Sequence, residues 1–331
     1  MAQSIPLQGN RAIGGVGVLL ALCLAIGSGA RADDADACEQ ESDPALGVAA
    51  CTRYIESLGT PDADDAWAFI NRGIGHSDAG NLNQALADYT EAIRLDARNP
   101  SGYYHRAQTL NDLAEFDRAL GDIEEAISLD PTDADGYNVR GTIFIDTGRY
   151  QKAADDFLTA VKLDREAKFH HNNFAVALTE LGKCRGALVE LDIALKIDRD
   201  YGNAIVNRGV ALACLGEREQ AMAEFNRALE LYPERASITN AIAWKLSKSD
   251  QPGFRDDPFP LQMAKRTVEL EDTHYYRDTL AAALANAGRF DEAVAEQRRA
   301  IATAREKGQL GFMPPYERHL ALYERRQVLK E

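Results

Sequence analysis

The middle of the chain repeats itself every 34 residues. Small residues recur at this interval at Gly73, Ala107, Gly141, Ala175 and Gly209. Three further series keep the same interval: Gly80, Ala114, Gly148, Gly182 and Gly216; Ala85, Ala119, Ala153, Ala187 and Ala221; Ala92, Ala126, Ala160, Ala194 and Ala228. A period of this length, present five times, predicts stacked copies of one supersecondary unit.

Each copy contains two apolar helical patterns separated by the turn residue. The first positions of the five copies are Ala66, Pro100, Ala134, Lys168 and Gly202. Position 8 then holds the small residue, and positions 20 and 27 hold alanine. Glycine inside a helix costs up to ~1 kcal/mol relative to alanine. Its recurrence at position 8 therefore predicts a close approach of the partner helix.

The order of small, bulky, turn, alanine, aromatic, alanine and proline residues in each copy resembles the tetratricopeptide repeat. The resemblance covers residues 45–304. It implies an all-α fold, an α-solenoid of tandem helix-turn-helix repeats that forms a right-handed superhelix.

The predicted organisation has six parts. They are a signal peptide over 1–32, an N-terminal segment and capping helix over 33–65, five regular repeats over 66–235, a degenerate repeat with an inserted loop over 236–273, a seventh repeat over 274–304, and a C-terminal capping helix over 305–331. The stretch "ALGVAACTRYIESLG" is expected to form a lone second helix. The stretch "SKSDQPGFRDDPFP" is expected to form an exposed loop.

The first 32 residues predict export. Arg11 precedes an apolar run from Ala12 to Ile26, and Ala30-Arg31-Ala32 matches a cleavage site. We expect cleavage after Ala32 and a periplasmic or secreted protein. Lipid attachment at Cys23 is less favoured, because Leu22 stands where a lipoprotein signal needs a small residue.

The charge balance argues against two classes of partner. The mature chain would have 35 basic and 52 acidic side chains, a net charge of −17. Nucleic acids and anionic membrane surfaces need clustered lysine and arginine. No segment after the signal contains the ~20 consecutive apolar residues of a membrane span.

Arginine at position 7 and an acid at position 23 recur together. The predicted pairs are Arg72 with Asp88, Arg106 with Asp122, Arg140 with Asp156, and Arg208 with Glu224; the fourth copy has Phe174 and Glu190. A catalytic group is needed once and not in every copy. We therefore interpret these pairs as structural braces between the two helices of a repeat.

In the family, positions 2, 5, 6, 9, 12 and 13 commonly face a concave groove. The resemblance thus implies a partner-binding groove with these residues: Trp67, Asn71, Asp78, Tyr104, Asp112, Asn138, Asp146, Phe169, Asn173, Val176, Glu180 and Asn207. Asparagine at position 6 can donate to and accept from a peptide backbone, and it is similar to the asparagine ladder of O-linked N-acetylglucosamine transferases. The alternative is that these amides only solvate a polar face.

Position 13 holds an acid in four successive copies, Asp78, Asp112, Asp146 and Glu180. One interpretation is an acidic stripe that attracts basic or amide-rich ligands. The other is that each acid favours the N-terminus of the helix after the turn. The cationic carboxylate clamp of chaperone-binding relatives is missing from the groove positions of the first five copies.

Four cysteines remain after cleavage, and an even number in an exported chain suggests two disulfides. Four cysteines allow three pairings. In the repeat geometry, Cys184 begins a second helix and Cys214 ends the next first helix, which would bring them together. This predicts Cys184–Cys214 and hence Cys38–Cys51, with free buried thiols as the alternative.

The sequence predicts a non-enzymatic protein without a cofactor. It has no G-x-S-x-G or Walker motif, and His170-His171 has no third metal ligand at helical spacing. We therefore predict a periplasmic scaffold that binds a peptide segment of an envelope protein in its groove. The alternatives are a self-assembling structural protein and an enzyme or its regulatory subunit.

Overall fold

The computed structural model describes residues 28–248, 254 and 258–329, with side chains from residue 32 onward. These residues fall into two compact units, 28–139 and 140–329. We call them the first unit and the second unit. The predicted signal peptide lies mostly outside the described residues.

The first unit is built from pairs of short helices. They are α1 (Ser28–Gln40), α2 (Pro44–Ser57), α3 (Ala66–Asp78), α4 (Leu82–Leu95), α5 (Pro100–Asp112) and α6 (Phe116–Leu129), with a 3-10 turn at Ala63–Asp65. Helix α7 (Ala134–Asp146) contains the boundary between the units.

The second unit continues the same pattern. Its helices are α8 (Tyr150–Leu163), α9 (Lys168–Glu180), α10 (Cys184–Ile197), α11 (Gly202–Cys214), α12 (Arg218–Leu231), α13 (Ala236–Ser247), α14 (Phe259–Leu270), α15 (His274–Asn286), α16 (Phe290–Glu306) and α17 (Met313–Glu324), with a 3-10 turn at Leu310–Phe312. No strand occurs among the described residues. The predicted all-α solenoid of helical repeats is thus confirmed.

A left-handed residue closes the turn between the two helices in six of the hairpins, the five from α3–α4 to α11–α12 and the hairpin α15–α16. Gly80, Gly148, Gly182, Gly216 and Gly288 have φ angles between +70° and +77°. The second hairpin of the 34-residue series has Ala114 there, with φ of +58°. Only glycine adopts this conformation without a steric cost from a Cβ atom.

We expect Ala114→Gly to stabilise the first unit, because it removes the strain of a left-handed alanine. The gain should be up to about 1 kcal/mol in the free energy of unfolding, since the added flexibility of the unfolded chain offsets part of it. Urea denaturation measures it. The matched control is Gly148→Ala, which should destabilise the protein; a destabilised Ala114→Gly variant would contradict this account.

Glycine at position 8 lies under an aromatic ring of the second helix. A Cβ atom built on Gly141 would lie 2.7 Å from Cε1 of Phe157. The corresponding distance is 2.5 Å between Gly73 and Tyr89 and also between Gly209 and Phe225. Real Cβ atoms do not approach other atoms this closely, so the ring excludes alanine.

The hairpins with alanine at position 8 have a smaller partner. Ala107 is matched by Ile123 and Ala175 by Leu191, and all four are fully buried. Ala175 and Leu191 belong to one core cluster. The residue at position 8 therefore follows the size of the side chain that packs on it.

The N-terminal segment differs from the prediction of a lone second helix. Helix α1 precedes α2 and packs against both α2 and α3. Cys38 of α1 and Cys51 of α2 are joined by a disulfide, with Cα atoms 4.5 Å apart. The segment therefore forms a complete hairpin. The predicted cleavage point after Ala32 lies within α1.

The inserted loop before α14 is not wholly exposed, which corrects the prediction. Phe254 is buried in the core of the second unit with Ile242 and Met263. The Arg218 guanidinium lies 5.0 Å from the centroid of its ring. Burial of a phenylalanine side chain contributes about 2 kcal/mol, so this residue attaches the insertion to the solenoid.

The C-terminal helix α17 covers the end of the array. It packs on α16, and its Tyr316 and Tyr323 are buried. Tyr316 contacts His274, the first residue of α15, whose Nδ1 lies 2.8 Å from the Tyr316 hydroxyl. Its Nε2 pairs with Oε1 of Gln309. Burial lowers the pKa of His274 to about 4, so the ring is neutral at neutral pH. Nδ1 then accepts from the tyrosine, and Nε2 donates to the glutamine.

Candidate functional site

In the first unit, the candidate site is the face of α3 and α5 that carries positions 2, 5, 6, 9, 12 and 13. We call it the first-helix face. It is made of Trp67, Asn71, Asp78, Tyr104 and Asp112. Positions spaced by four and eleven residues lie on one side of a helix, and α3 packs against α5. The two helices therefore present these side chains on one face, with Trp67 near the start of α3 and the two acids at the C-terminal ends.

Aromatic side chains of this face are half-buried. The Trp67 ring packs on Tyr54 of α2, with centroids 5.1 Å apart. The Tyr104 hydroxyl lies 3.1 Å from Nε2 of Gln108. Asn71 donates to the carbonyl oxygen of Cys38 at 3.4 Å. The amide of Asn71, which was predicted to bind a partner, is therefore already hydrogen-bonded to the backbone of α1.

Acidic groups of the first-helix face are reached by solvent. Asp78 and Asp112 are both exposed at the C-terminal ends of α3 and α5. The helix dipole places partial negative charge there. Desolvation raises the pKa of Asp112 to about 6, so at neutral pH its carboxyl is still mostly ionised and adds, with Asp78, to a negative potential. Asn138, on the first-unit part of α7, is in contrast only 4% exposed.

In the second unit, the predicted exposure of the asparagines is wrong. Asn173 and Asn207 are 7% and 6% exposed. Asn207 donates to Oδ1 of Asn172 at 2.8 Å, and Asn172 donates to Oδ1 of Asn173 at 3.1 Å. Helices α9 and α11 pack closely enough for their amides to bond to one another, and buried amides need such partners.

The remaining predicted residues of the second unit have mixed exposure. Asp146 is 8% exposed, and Phe169, Val176 and Glu180 are half-buried. The close packing leaves little accessible amide surface on this part of the array. The candidate site is therefore better formed in the first unit than in the second.

Glu180 makes a long-range ion pair that the sequence did not reveal. Its Oε1 pairs with Nζ of Lys245, which is 65 residues away on α13. Burial pushes the pKa of Glu180 upward, but Lys245, with Lys248 nearby, outweighs this and holds the pKa below its usual value. This acid is thus neutralised by the sixth repeat and adds nothing to an acidic stripe.

Arginine–acid pairs connect the two helices of the hairpins, as interpreted from the sequence. In Arg72–Asp88, Arg106–Asp122 and Arg140–Asp156, the guanidinium donates two hydrogen bonds to the carboxylate. Arg208 pairs with Glu224 and also with Asp192. Two-pronged geometry of this kind gives the stronger charge-assisted bonds.

The hairpins of the fourth and seventh repeats, α9–α10 and α15–α16, connect their two helices through a side chain at another position of the first helix. In the fourth, Nδ1 of His171 lies 2.7 Å from Oε2 of Glu190. In the seventh, Arg277 donates to Glu296 at 2.5 Å. Both pairs span 19 residues in place of 16, which is one helical turn earlier on the first helix. These pairs could have been found in the sequence if the basic partner of the acid had been sought at position 4 as well as at position 7.

We expect Arg140→Ala to lower the free energy of unfolding by about 3 kcal/mol, because it leaves the Asp156 carboxylate buried without its partner. Asp156 is 7% exposed. Thermal and urea unfolding measure the loss. Arg94→Ala is the control, since its pair with Glu91 is exposed and should contribute little. Equal effects of the two substitutions would contradict the brace.

Both predicted cysteine pairs are disulfides in the structure. The Cα atoms of Cys184 and Cys214 are 6.3 Å apart, and Cys38–Cys51 joins α1 to α2. Among the described residues, no group of three or more histidine, cysteine or acidic side chains could hold a metal ion. Over the same part of the chain, every helix is too short or too polar to cross a membrane.

The structure defines a class of protein, the helical-repeat solenoid. Family models for the tetratricopeptide repeat match residues 78–113, 106–168, 202–235 and 275–307. The chain therefore contains tetratricopeptide repeats. The family is one of protein–protein interaction scaffolds, and its repeats support that general role here.

Solved structures share this fold. A tetratricopeptide repeat protein from Parabacteroides merdae is 14% identical, with a TM-score of 0.53 over 90% of this chain and 98% of that one. The APC/C hetero-tetramer Cut9–Hcn1 gives 16% identity and a TM-score of 0.55 over 77% of this chain and 52% of that one. No curated protein matches the chain. At these identities the likeness concerns the fold alone.

Proposed function

We propose that the protein is an exported interaction scaffold whose first-helix face binds a basic segment of a partner protein. The observation that carries this proposal is the combination of half-buried aromatic and exposed acidic side chains on α3 and α5. Trp67 and Tyr104 offer apolar contact, and Asp78 and Asp112 offer negative charge about 12–17 Å further along the same helices. A segment that contains both apolar and basic residues fits both features.

The distribution of charge supports a basic partner at the first unit. Residues 33–139 contain 23 acidic and 6 basic side chains, and no lysine occurs before Lys152. Residues 140–331 contain 29 of each sign. The whole net charge of −17 therefore belongs to residues 33–139. A field of one sign raises the association rate of oppositely charged ligands.

Export is part of the proposal and rests on the sequence of the first 32 residues. Two intramolecular disulfides are consistent with an oxidising compartment, where such bonds persist. The partner would then be a protein of the same compartment, and the negative first unit would attract its basic segment. A fractionation experiment with the full-length gene product tests this part of the proposal separately.

Peptide binding tests the site. We expect a fluorescent Lys/Leu/Arg peptide to bind the protein, and a Glu/Leu/Asp peptide of equal length not to bind. The affinity should fall as salt is raised, since screening shortens the range of the field to about 8 Å at physiological ionic strength. Fluorescence anisotropy measures both quantities.

Three double variants with the same change in charge locate the contact. Asp78→Asn with Asp112→Asn should weaken binding at least about tenfold, which corresponds to about 1.4 kcal/mol. Glu124→Gln with Glu125→Gln neutralises exposed acids of α6, and Glu219→Gln with Glu230→Gln does so on α12. These two controls should bind nearly as well as the parent protein. Equal losses in all three would show a nonspecific charge effect and refute the site.

A further inference from the structure

The two disulfides differ in access. Cys38 and Cys51 are 5% and 0% exposed, and Cys184 is 1% exposed. Cys214, in contrast, is exposed at the end of α11. A thiolate in solution attacks a disulfide at a sulfur atom that it can reach. Cys214 is therefore the one exposed residue among the four disulfide cysteines, and the attack of a thiolate is expected there.

The buried partner of Cys214 is placed as a leaving group. Cys184 is the first residue of α10, and Lys183 and Arg185 flank it. A helix N-terminus and neighbouring cations stabilise a thiolate, although burial opposes this. Cys38 lies in the last turn of α1 and Cys51 within α2, so neither has the N-terminal position. Thiol–disulfide exchange at Cys184–Cys214 thus has an exposed residue at which attack can occur and a leaving thiolate, that of Cys184, which its surroundings stabilise.

We propose that Cys184–Cys214 is a thiol–disulfide exchange site for a dithiol protein of the thioredoxin-like chemical class, and that Cys38–Cys51 is a permanent structural bond. This site is independent of the peptide-binding function proposed above. The exposed residue determines the direction of exchange, since the mixed disulfide forms on Cys214 and never first on Cys184.

The reaction balances as a two-electron exchange. A thiolate of the reductant attacks Sγ of Cys214, a new S–S bond forms, and the Cys184–Cys214 bond breaks. The electron pair leaves on Sγ of Cys184, which then takes a proton. The second thiolate of the reductant attacks its own sulfur in the mixed disulfide and releases Cys214. The products are the reduced protein and the oxidised reductant.

The Cys184–Cys214 disulfide links two successive repeats covalently. It joins the start of α10 to the end of α11. Helix α9, which ends four residues before Cys184, carries Glu180 and the amides of Asn172 and Asn173. Reduction therefore releases the turn after Glu180 from the end of α11. We expect the second unit of the reduced protein to unfold at a lower urea concentration than that of the oxidised protein.

Timed reduction of the full chain tests the proposal without any partner. The protein is treated with dithiothreitol or with glutathione in native buffer, quenched with acid, alkylated and digested after glutamate. Cleavage after Glu41, Glu180, Glu190 and Glu217 separates all four cysteines. We expect Cys184–Cys214 to be reduced at least about tenfold faster than Cys38–Cys51, with the glutathione adduct on Cys214. Equal rates, an adduct on Cys184, or no reaction before unfolding would overturn the proposal.

A pair of charge variants tests the leaving group. Lys183→Gln with Arg185→Gln should slow the reduction several-fold without changing the folded structure, because both side chains are exposed. Lys196→Gln with Arg199→Gln removes the same charge near the opposite end of α10 and should leave the rate unchanged. Slowing by the second pair and not by the first would refute the role of the helix N-terminus.

Discussion

Gly141→Ala is expected to destabilise the second unit by about 2–3 kcal/mol, a typical cost of forcing an extra methyl group into a packed core. The added Cβ would lie 2.7 Å from Cε1 and 2.9 Å from Cδ1 of Phe157. Phe157 is itself 1% exposed, so its ring has no free space to enter. Urea denaturation of the purified protein measures the loss.

The fourth hairpin provides the rescue for this variant. It has Ala175 and Leu191 where the third has Gly141 and Phe157. Phe157→Leu alone should destabilise the protein through a cavity, but the double variant should be more stable than the sum of the single effects predicts. A coupling energy above about 1 kcal/mol is expected for groups in contact. If the two effects simply add, the ring of Phe157 is not what makes alanine unfavourable at position 141.

Acidification is the second large effect. Burial lowers the pKa of His274 from 6.5 to about 4. An unfolded chain therefore takes up this proton below pH 6.5, whereas the folded protein takes it up only near pH 4. Stability from this group is fully present above pH 6.5 and is lost as the pH falls to 4. The total loss is about 3 kcal/mol at 1.36 kcal/mol per pKa unit.

The comparison with a non-titrating variant isolates this loss. His274→Gln removes the titrating ring but retains hydrogen-bonding capacity toward Tyr316 and Gln309. Its free energy of unfolding should fall less steeply between pH 6.5 and 4 than that of the parent protein, while acidic side chains titrate equally in both. Parallel curves for the two proteins would show that His274 is not the group responsible.

The features predicted best from the sequence are those that repeat. The period of 34 located the helices, the glycine turns and four arginine–acid pairs, because each hairpin solves the same packing problem in the same way. The disulfide between Cys184 and Cys214 followed from the position of each residue in its repeat. Geometry shared by all copies can be read from one sequence, since the copies supply the comparison.

The candidate site was predicted less well, because exposure depends on the distance between helices. Position 6 was assigned to an open groove, yet Asn207 of α11 reaches Asn172 of α9. In the first unit the same position, Asn71, is used by the backbone of α1. Neighbouring first helices approach closely enough to bury Asn207 and to half-bury Asn71, and no periodicity in the sequence gives that spacing.

Departures from the repeat were also missed. The Glu180–Lys245 pair joins the fourth hairpin to the sixth, and Phe254 returns from an insertion to the core. A chain of polar and proline residues around a single phenylalanine resembles an exposed loop by composition. Only the three-dimensional arrangement shows that this one side chain fills space between helices.

The match between position 8 and its ring limits how the gene can be rearranged. Both partners lie in one hairpin, so a duplication or deletion whose ends fall between hairpins, such as between Asp130 and Ala134, transfers a matched pair. A crossover at the glycine turns would instead combine the first helix of one hairpin with the second helix of another. Glycine at position 8 would then face leucine, or alanine would face phenylalanine. The hairpin is therefore the smallest segment that recombination can exchange without loss of packing. The fourth and fifth hairpins must move together, because Cys184 and Cys214 connect them.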